Sequence, residues 1–171
     1  MGKEQKFNQL ENQSRETINI GVRGETETEQ MLSNLAPTPF DLDGKHYKSV
    51  EGLWQGLKYP EGSEQRKEIA KLSGIEAKKA GRKAEKTNEF KYQGKKFQVG
   101  SPKHHELMKK AIRAKLKQNP NVRDLLLATG DKKITHIFRT PDGRILPDSQ
   151  TIPGEKFCQI LMDLREEFRK D

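Results

Sequence analysis

Three polar side chains on one predicted helix are the first candidates for chemistry. Glu51, Gln55 and Lys58 lie within about 60° of one another on a helical wheel, beside the apolar face of the same helix. Glu51 and Lys58 are separated by roughly 10 Å along the axis, and the lysine side chain leans toward the helix N-terminus and shortens this gap. A carboxylate and an amine could therefore reach one ligand. The same spacing also fits the solvent side of an amphipathic helix, so both interpretations stay open.

The helix that carries these residues has clear local signals. Ser49 is its predicted N-cap, Pro60 stops it, and an apolar i, i+3, i+4, i+7 pattern fills the segment between them. Trp54 belongs to this apolar face, which favours packing in the core, although an indole could also stack on a nucleobase. The helix is therefore expected to present its polar stripe as the wall of a cleft.

The other predicted elements are short and separated by turn residues. A strand over 18–22, a solvated acidic loop over 24–30 and a hairpin over 40–47 precede this helix. Further helices are predicted over 63–72, 73–81, 102–119, 121–128 and 155–169, with a hairpin over 90–99, a strand over 134–138 and a long structured loop over 139–154. The chain is thus predicted to be α+β, predominantly α-helical, with a flexible N-terminal tail over 1–16 and a single domain over 17–171.

Composition narrows the class of protein. The chain has 171 residues, 31% of them hydrophobic and 34% charged, which suits one domain with a small core. Its net charge of +8 either attracts polyanions or serves solubility. One cysteine, no long apolar stretch and no signal peptide predict a cytoplasmic protein without a membrane partner. The four histidines form no zinc spacing, so no metal is expected.

Four ordered motifs resemble those of a known family. Residues 31–40 read MLSNLAPTPF, residues 43–51 read DGKHYKSVE and residues 55–58 read QGLK. These are similar to an LSN-x-x-P segment, a turn, and S-V-E-x-x-x-Q-x-x-K on a helix. Residues 80–82 and 108–130 resemble a small-Gly-Arg element and an M-x-x-A-x-x-x-K-x-x-Q-N-P block that ends in T-G. By this resemblance the chain is identified as a member of the NADAR family, also called YbiA-like N-glycosidases.

The resemblance implies cleavage of the N-glycosidic bond between a ribose carbon and a base-like nitrogen, without a cofactor. The chain is similar in character to the antitoxin NADAR domain of DarTG-type systems, which removes ADP-ribose from guanine in DNA. This implies ADP-ribosylated, single-stranded DNA as the substrate and a cognate ADP-ribosyltransferase toxin as the functional partner. Two alternatives remain open: an N-glycosidase for phosphoribosylated pyrimidine intermediates of riboflavin biosynthesis, and a non-catalytic module that binds ADP-ribose.

The resemblance also implies roles for individual residues. It makes Glu51 and Lys58 catalytic, and it assigns substrate contacts to Ser33, Asn34, Gln55, Gly81 and Arg82. Glu51 could stabilise an oxocarbenium-like transition state or activate water, whereas Lys58 could attack the opened sugar and form a Schiff base. For Ser33 and Asn34 an Asx-type turn is the alternative role. Arg82 could contact phosphate or be an ordinary surface arginine.

Two segments depart from the family pattern. Asp148 lies in the loop where the family has an Asp followed by Trp-Gly, but this pair is missing here and the role of the residue is left open. The segment 89–100 replaces a Trp-containing stretch. It carries three lysines and three aromatic residues, which are Lys91, Lys95, Lys96, Phe90, Tyr92 and Phe97. This composition would suit nucleic acid through phosphate attraction and base stacking.

Overall fold

Seven helices and three small sheets make up the part of the chain that the structure describes. The computed structural model describes residues 16–148 and 150–171, so the predicted tail lies outside it except for Glu16. The elements in chain order are β1 (Thr17–Asn19), α1 (Glu27–Met31), β2 (Phe40–Leu42), β3 (Lys45–Tyr47), α2 (Val50–Leu57), α3 (Glu64–Ile69), α4 (Gly74–Arg82), β4 (Glu89–Tyr92), β5 (Lys95–Gln98), α5 (Pro102–Gln118), α6 (Pro120–Ala128), β6 (Lys133–Thr135) and α7 (Gly154–Arg169). The predicted α+β, predominantly helical class is confirmed.

Each sheet consists of two strands. β1 and β6 pair in parallel, and both are shorter than the sequence predicts. The two predicted hairpins are confirmed as the antiparallel pairs β2–β3 and β4–β5. Their turns place Asp43-Gly44 and Gln93-Gly94 at positive φ, a conformation that glycine adopts without steric cost. These turns direct the hairpins back toward the helices.

The acidic segment 24–30 is not the solvated loop that the sequence predicts, because α1 begins within it. Thr26 is the N-cap of α1, and its side chain accepts a hydrogen bond from the N–H of Glu29. Glu27 and Glu29 lie in the first turn, where negative charge interacts favourably with the unpaired N–H groups of a helix. The acidic residues therefore stabilise a short helix.

The start of α4 also differs from the prediction. The sequence 73–76 predicts a capping box, but the Ser73 side chain makes no capping hydrogen bond. Instead, the N–H of Gly74 donates to the carbonyl of Leu35 at 2.8 Å. The neighbouring carbonyl of Asn34 accepts from the N–H of Glu51 at 2.9 Å. The segment 32–39 therefore holds the first turns of both α2 and α4.

Helix α2 is buried on nearly all sides. Ser49 caps it as predicted, with its Oγ accepting from the N–H of Gly52 at 2.9 Å. A Cβ on Gly52 would lie only 2.7 Å from the carbonyl oxygen of Leu72, so the glycine permits close approach of the α3–α4 connection. On the same helix, Glu51 is 7% exposed and Gln55 is 6% exposed. The interpretation of these two residues as the solvent side of an amphipathic helix is therefore wrong.

A lysine without a carboxylate partner among the described residues is buried behind the segment 32–39. Lys115 of α5 is 1% exposed, and its Nζ donates to the carbonyl of Ser33 at 2.9 Å. Burial lowers the pKa of Lys115 to about 7. This single bond links α5 to the segment that holds α2 and α4, although the site disfavours a charged amine.

We expect Lys115→Met to stabilise the fold more at acidic than at alkaline pH. Between the folded pKa of about 7 and the ordinary value of 10.5, the unfolded wild type binds a proton that the folded protein does not, so its stability rises with pH. Methionine has no such dependence. The stability advantage of the variant should shrink by about 2 to 4 kcal/mol between pH 6 and pH 10.

Urea denaturation of the variant and the wild type at the two pH values measures this change. Lys117→Met, which replaces an exposed lysine of the same helix, is the matched control and should show no such trend. A stability difference that is the same at both pH values would contradict the assignment of Lys115 as a strained, buried amine.

Candidate functional site

A cavity of about 220 Å³ opens beside α2. Its polar wall consists of Asn34, Glu51, Gln55, Lys58 and Lys78, and Trp54 and Phe157 contribute apolar surface. Residues 150–152, which precede α7, line another side. The structure therefore brings four of the seven predicted site residues to one cavity, from the segment 32–39 and from α2.

Glu51 and Gln55 form a buried pair in the cavity wall. They lie one helical turn apart, and Gln55 Nε2 donates to Glu51 Oε1 at 2.6 Å. This bond orients the carboxylate and leaves its other oxygen for a ligand or water. Asn34 Oδ1 is buried and has no hydrogen-bond partner among the described residues. A buried acceptor of this kind suits a hydroxyl group of a bound sugar.

Gly81 acts on this pair from the neighbouring helix. A Cβ on Gly81 would lie 1.7 Å from Gln55 Oε1 and 2.5 Å from its amide carbon. No side chain fits there while Gln55 holds Glu51. Gly81, which is predicted to contact substrate, therefore leaves the space that Gln55 needs in order to hold the Glu51 carboxylate.

Gly81→Ala is expected to displace Gln55 and to weaken both the fold and the activity. Overpacking of this kind costs about 1 to 3 kcal/mol of unfolding free energy, and misplacement of a catalytic group by about 1 Å can lower the rate about 100-fold. Thermal denaturation and steady-state kinetics measure the two effects. Lys79→Ala, on the exposed side of the same helix, is the control. Wild-type values for both quantities in Gly81→Ala would contradict the assignment.

Lys58 lies at the end of α2 in an environment that disfavours its charge. Burial lowers the pKa of Lys58, the positive charges of Arg82 and Lys78 lower it further, and only Glu51 acts in the opposite direction. Its Nζ lies over the Trp54 ring, 5.3 Å from the centroid. An amine with a lowered pKa can act as a nucleophile, because a larger fraction of it is unprotonated near neutral pH.

Trp54 separates this cavity from a second one of about 410 Å³. The second cavity has a largely apolar lining, which includes Leu57, Phe90 and Val99, and Lys58 and Arg82 lie at it as well. The Trp54 ring packs against His104 at 4.7 Å between centroids. Trp54 is thus partly a core residue, as the apolar pattern favours, and partly a wall of both cavities.

Ser33 and Arg82 differ in how they relate to these cavities. Ser33 is 2% exposed, and its Oγ accepts from the N–H of Leu35 at 3.2 Å, which is the turn role weighed as the alternative. Its side chain does not line either cavity. Arg82 is exposed, lines the second cavity and lies close enough to Lys58 to lower its pKa. Of these two residues, Arg82 is the one that a ligand at Lys58 could reach.

Asp148 anchors the loop that covers the cavity. Its carboxylate accepts from the N–H of Gly154 at 2.5 Å and from the N–H of Gln150 at 3.0 Å. These backbone hydrogen bonds, that of Gly154 first, lower the pKa of Asp148. The residue is absent from the cavity lining, and its hydrogen bonds hold the backbone of Gln150 and Gly154 on either side of the residues that line the cavity.

Sequence reasoning missed Lys78, Gln150 and Thr151 as site residues. Lys78 lies one turn before Arg82 on α4, and this i, i+4 relation to a predicted site residue was a usable signal. Gln150 and Thr151 come from a loop whose path depends on long-range contacts, and nothing local in the sequence indicates that they return to α2. All three add polar groups to a cavity that already contains Glu51 and Lys58.

A metal-binding cluster and a membrane-spanning helix are both absent from the residues that the structure describes. In residues 16–148 and 150–171, no group of three or more His, Cys, Asp or Glu side chains could hold a metal ion. None of the helices in these ranges combines the length and apolar content that a bilayer crossing requires.

Comparisons with known proteins place this chain in a family. A family model described as bacteriophage protein GP30.3 matches residues 28–166. A 17.1 kDa protein from the Gp30-rIII intergenic region of enterobacteria phage T4 is 35% identical over 141 residues, which cover 79% of this chain and 88% of that protein. N-glycosidase YbiA of Escherichia coli K12 is 31% identical over 138 residues, which cover 80% of this chain and 79% of YbiA.

The structures agree with the sequences. The NMR structure of Escherichia coli YbiA superposes with a TM-score of 0.61 at 27% identity, covering 90% of this chain and 84% of that structure. The fold is therefore that of YbiA, and homology to an N-glycosidase supports a general N-glycosidase role. The chain belongs to the bacteriophage GP30.3 family and, together with YbiA, to the NADAR family that its motifs resemble.

Proposed function

We propose that the protein is an N-glycosidase that releases ADP-ribose from guanine bases in DNA, with Glu51 and Lys58 at the reacting centre. The observation that carries this proposal is the shared cavity, in which a buried carboxylate held by Gln55 and an amine with a lowered pKa face the same space. The surrounding cations Lys78 and Arg82 suit the diphosphate of ADP-ribose, because phosphate oxygens accept charge-assisted hydrogen bonds.

Two routes break the bond between C1′ of the ribose and the base nitrogen. In the first, Glu51 takes a proton from water, the water oxygen bonds to C1′, and the bonding electrons leave with the base nitrogen. The proton held by Glu51 then passes to that nitrogen, which restores the carboxylate. The carboxylate also stabilises the positive charge that develops on the ribose ring. The geometry supports this route because Gln55 leaves one oxygen of Glu51 available.

In the second route, the unprotonated amine of Lys58 attacks C1′ and the base departs with the electron pair of the broken bond. The sugar ring then opens, O4′ takes a proton, and C1′ forms a Schiff base with Lys58. Water hydrolyses this adduct, which frees ADP-ribose and restores the amine. The lowered pKa of Lys58 and the cations beside it support this route.

DNA is the proposed carrier of the modified base because the chain has a net charge of +8, which favours a polyanionic substrate. A cognate ADP-ribosyltransferase toxin would generate that substrate. A phosphoribosylated pyrimidine is the second substrate class and needs no extended basic surface. A module that only binds ADP-ribose would keep Asn34 and Arg82 functional and would tolerate Glu51→Gln.

Incubation with guanine-ADP-ribosylated, single-stranded DNA tests the proposal by mass analysis of the products. We expect restored guanine and free ADP-ribose. In the presence of borohydride, a covalent adduct on Lys58 would identify the Schiff-base route. If the DNA stays modified while a phosphoribosylated pyrimidine is cleaved, the substrate assignment is wrong. If both are left intact and ADP-ribose binds, the binding module is correct.

A further inference from the structure

A large cleft lies next to the candidate site and shares Leu57 and Lys58 with the second cavity. Its volume is about 980 Å³. Four parts of the chain form its walls: Lys45 of β3, residues 57–62 at the end of α2 and after it, residues 83–87 after α4, and the β4–β5 hairpin. The cleft therefore extends from the proposed reacting centre across the face of the hairpin.

Positive charge dominates this cleft. Six lysines line it, namely Lys45, Lys58, Lys83, Lys86, Lys91 and Lys96. Three glutamates also line it, and two of them are engaged: Glu89 lies 3.8 Å from the Nζ of Lys96, and Glu61 accepts from the N–H of Gly94 at 3.0 Å. Among the described residues, only Lys96 of the six forms an ion pair. The cleft thus offers at least four ammonium groups to an anion, besides the amine of Lys58.

The register of the hairpin separates the three lysines that the sequence groups together. Lys91 is paired across the strands with Lys96, and both line the cleft. Lys95 is paired with Tyr92, one position further along, so it lies on the opposite face of the hairpin. Lys95 is accordingly absent from the cleft lining. Two of the three lysines belong to the cleft, and the third provides an internal control.

Two of the three aromatic residues of the hairpin are buried and present no free face for a base. Phe90 is buried, and its ring stacks on Phe97 with 5.1 Å between centroids. Tyr92 is also buried and contacts the edge of Phe97. The expectation that these rings stack on nucleobases is therefore wrong for Phe90 and Tyr92, whereas Phe97 is half-buried. A strand in the cleft would be held through its phosphates, with little dependence on sequence.

We propose that this cleft is a track for the sugar-phosphate backbone of a single nucleic-acid strand, which it guides past Lys58. The path of the strand past Lys58 rests on the proposed function, since the modified base must reach Glu51. Attraction of the backbone itself depends only on the spacing and the sign of the cleft lysines. Binding of unmodified DNA can therefore be measured apart from catalysis.

The test compares two double variants of equal charge, Lys91→Gln/Lys96→Gln in the cleft and Lys95→Gln/Lys117→Gln outside it. A fluorescent, unmodified oligothymidylate is titrated at several salt concentrations and followed by anisotropy. The cleft variant should raise Kd about tenfold at low salt and reduce the slope of log K against log salt by about 1.4, which is 0.7 for each lost phosphate contact. The control variant should change Kd less than twofold. Equal effects of the two variants, or no binding by the wild type, would overturn the proposal.

Kinetics separate the track from the reaction. With ADP-ribosylated oligonucleotide the cleft variant should raise KM and keep kcat, whereas ADP-ribosylated guanosine should be cleaved as by the wild type. If the wild type binds the oligothymidylate through the cleft but cleaves neither substrate, the proposed reaction fails and the track stands. If the wild type cleaves both the oligonucleotide and the nucleoside, and the cleft variant loses the same fraction of kcat/KM on each, the proposed reaction stands and the track is wrong.

Discussion

Glu51→Gln is expected to lower kcat about 1000-fold while the protein stays folded. General acid-base catalysis by one positioned side chain contributes about 10² to 10⁴ in rate, and the amide has neither the charge nor the basicity of the carboxylate. Glutamine has nearly the same shape and can still hydrogen-bond Gln55, so the packing of α2 should persist. Loss of a largely buried carboxylate should leave the melting temperature unchanged or slightly higher.

Single-turnover kinetics on ADP-ribosylated DNA and a thermal melt measure these two outcomes. Glu85→Gln is the matched control because Glu85 is exposed and lines the second cavity without lining the first. It should keep near wild-type kcat. A kcat of Glu51→Gln within about threefold of the wild-type value would contradict a catalytic role for Glu51, since the smallest expected contribution is about 100-fold.

Lys58→Met is expected to abolish the borohydride-trapped adduct if the reaction passes through a Schiff base. Methionine fills a similar volume against Trp54 but has no nucleophilic amine. Loss of both the adduct and turnover would assign the attack to Lys58. Turnover that persists in this variant would assign it to water activated by Glu51. A wild type that forms no adduct, together with an unchanged Lys58→Met rate, would exclude Lys58 from catalysis.

The pH profile provides a second test of the same residue. An unprotonated amine is required for attack, so kcat should rise with pH through the pKa of Lys58, which burial and neighbouring cations lower. Lys78→Met removes one of those cations, so the pKa of Lys58 should rise and this limb, the rise of kcat with pH, should move to higher pH. Lys79→Met, an exposed neighbour on α4, should leave it in place. A limb that does not move in Lys78→Met would mean that another group titrates.

Local sequence was sufficient for most of the elements of this fold. The apolar pattern and the Ser49 cap define α2, and the Asp43-Gly44 and Gln93-Gly94 turns define the two hairpins, because each signal depends on residues within one or two turns of chain. Where competing local signals overlap, as in the acidic segment that became α1, the prediction failed. Ordered motifs likewise sufficed to identify the family, whereas the choice of Glu51 and Lys58 as catalytic residues stays a prediction.

Only the tertiary structure decided how these residues are arranged and buried. Glu51 is buried where helix α2 meets the segment 32–39, whose Asn34 carbonyl accepts from the N–H of Glu51. Gly81 is required because Gln55 occupies the space of its missing side chain. The single bond from Lys115 to Ser33 joins residues 82 positions apart. Thr151, in the loop before α7, likewise lines a cavity formed with residues that are far from it in the sequence. Such contacts depend on which surfaces meet in the folded protein. Local patterns of polarity and propensity do not determine this, because the residues that meet are far apart in the sequence.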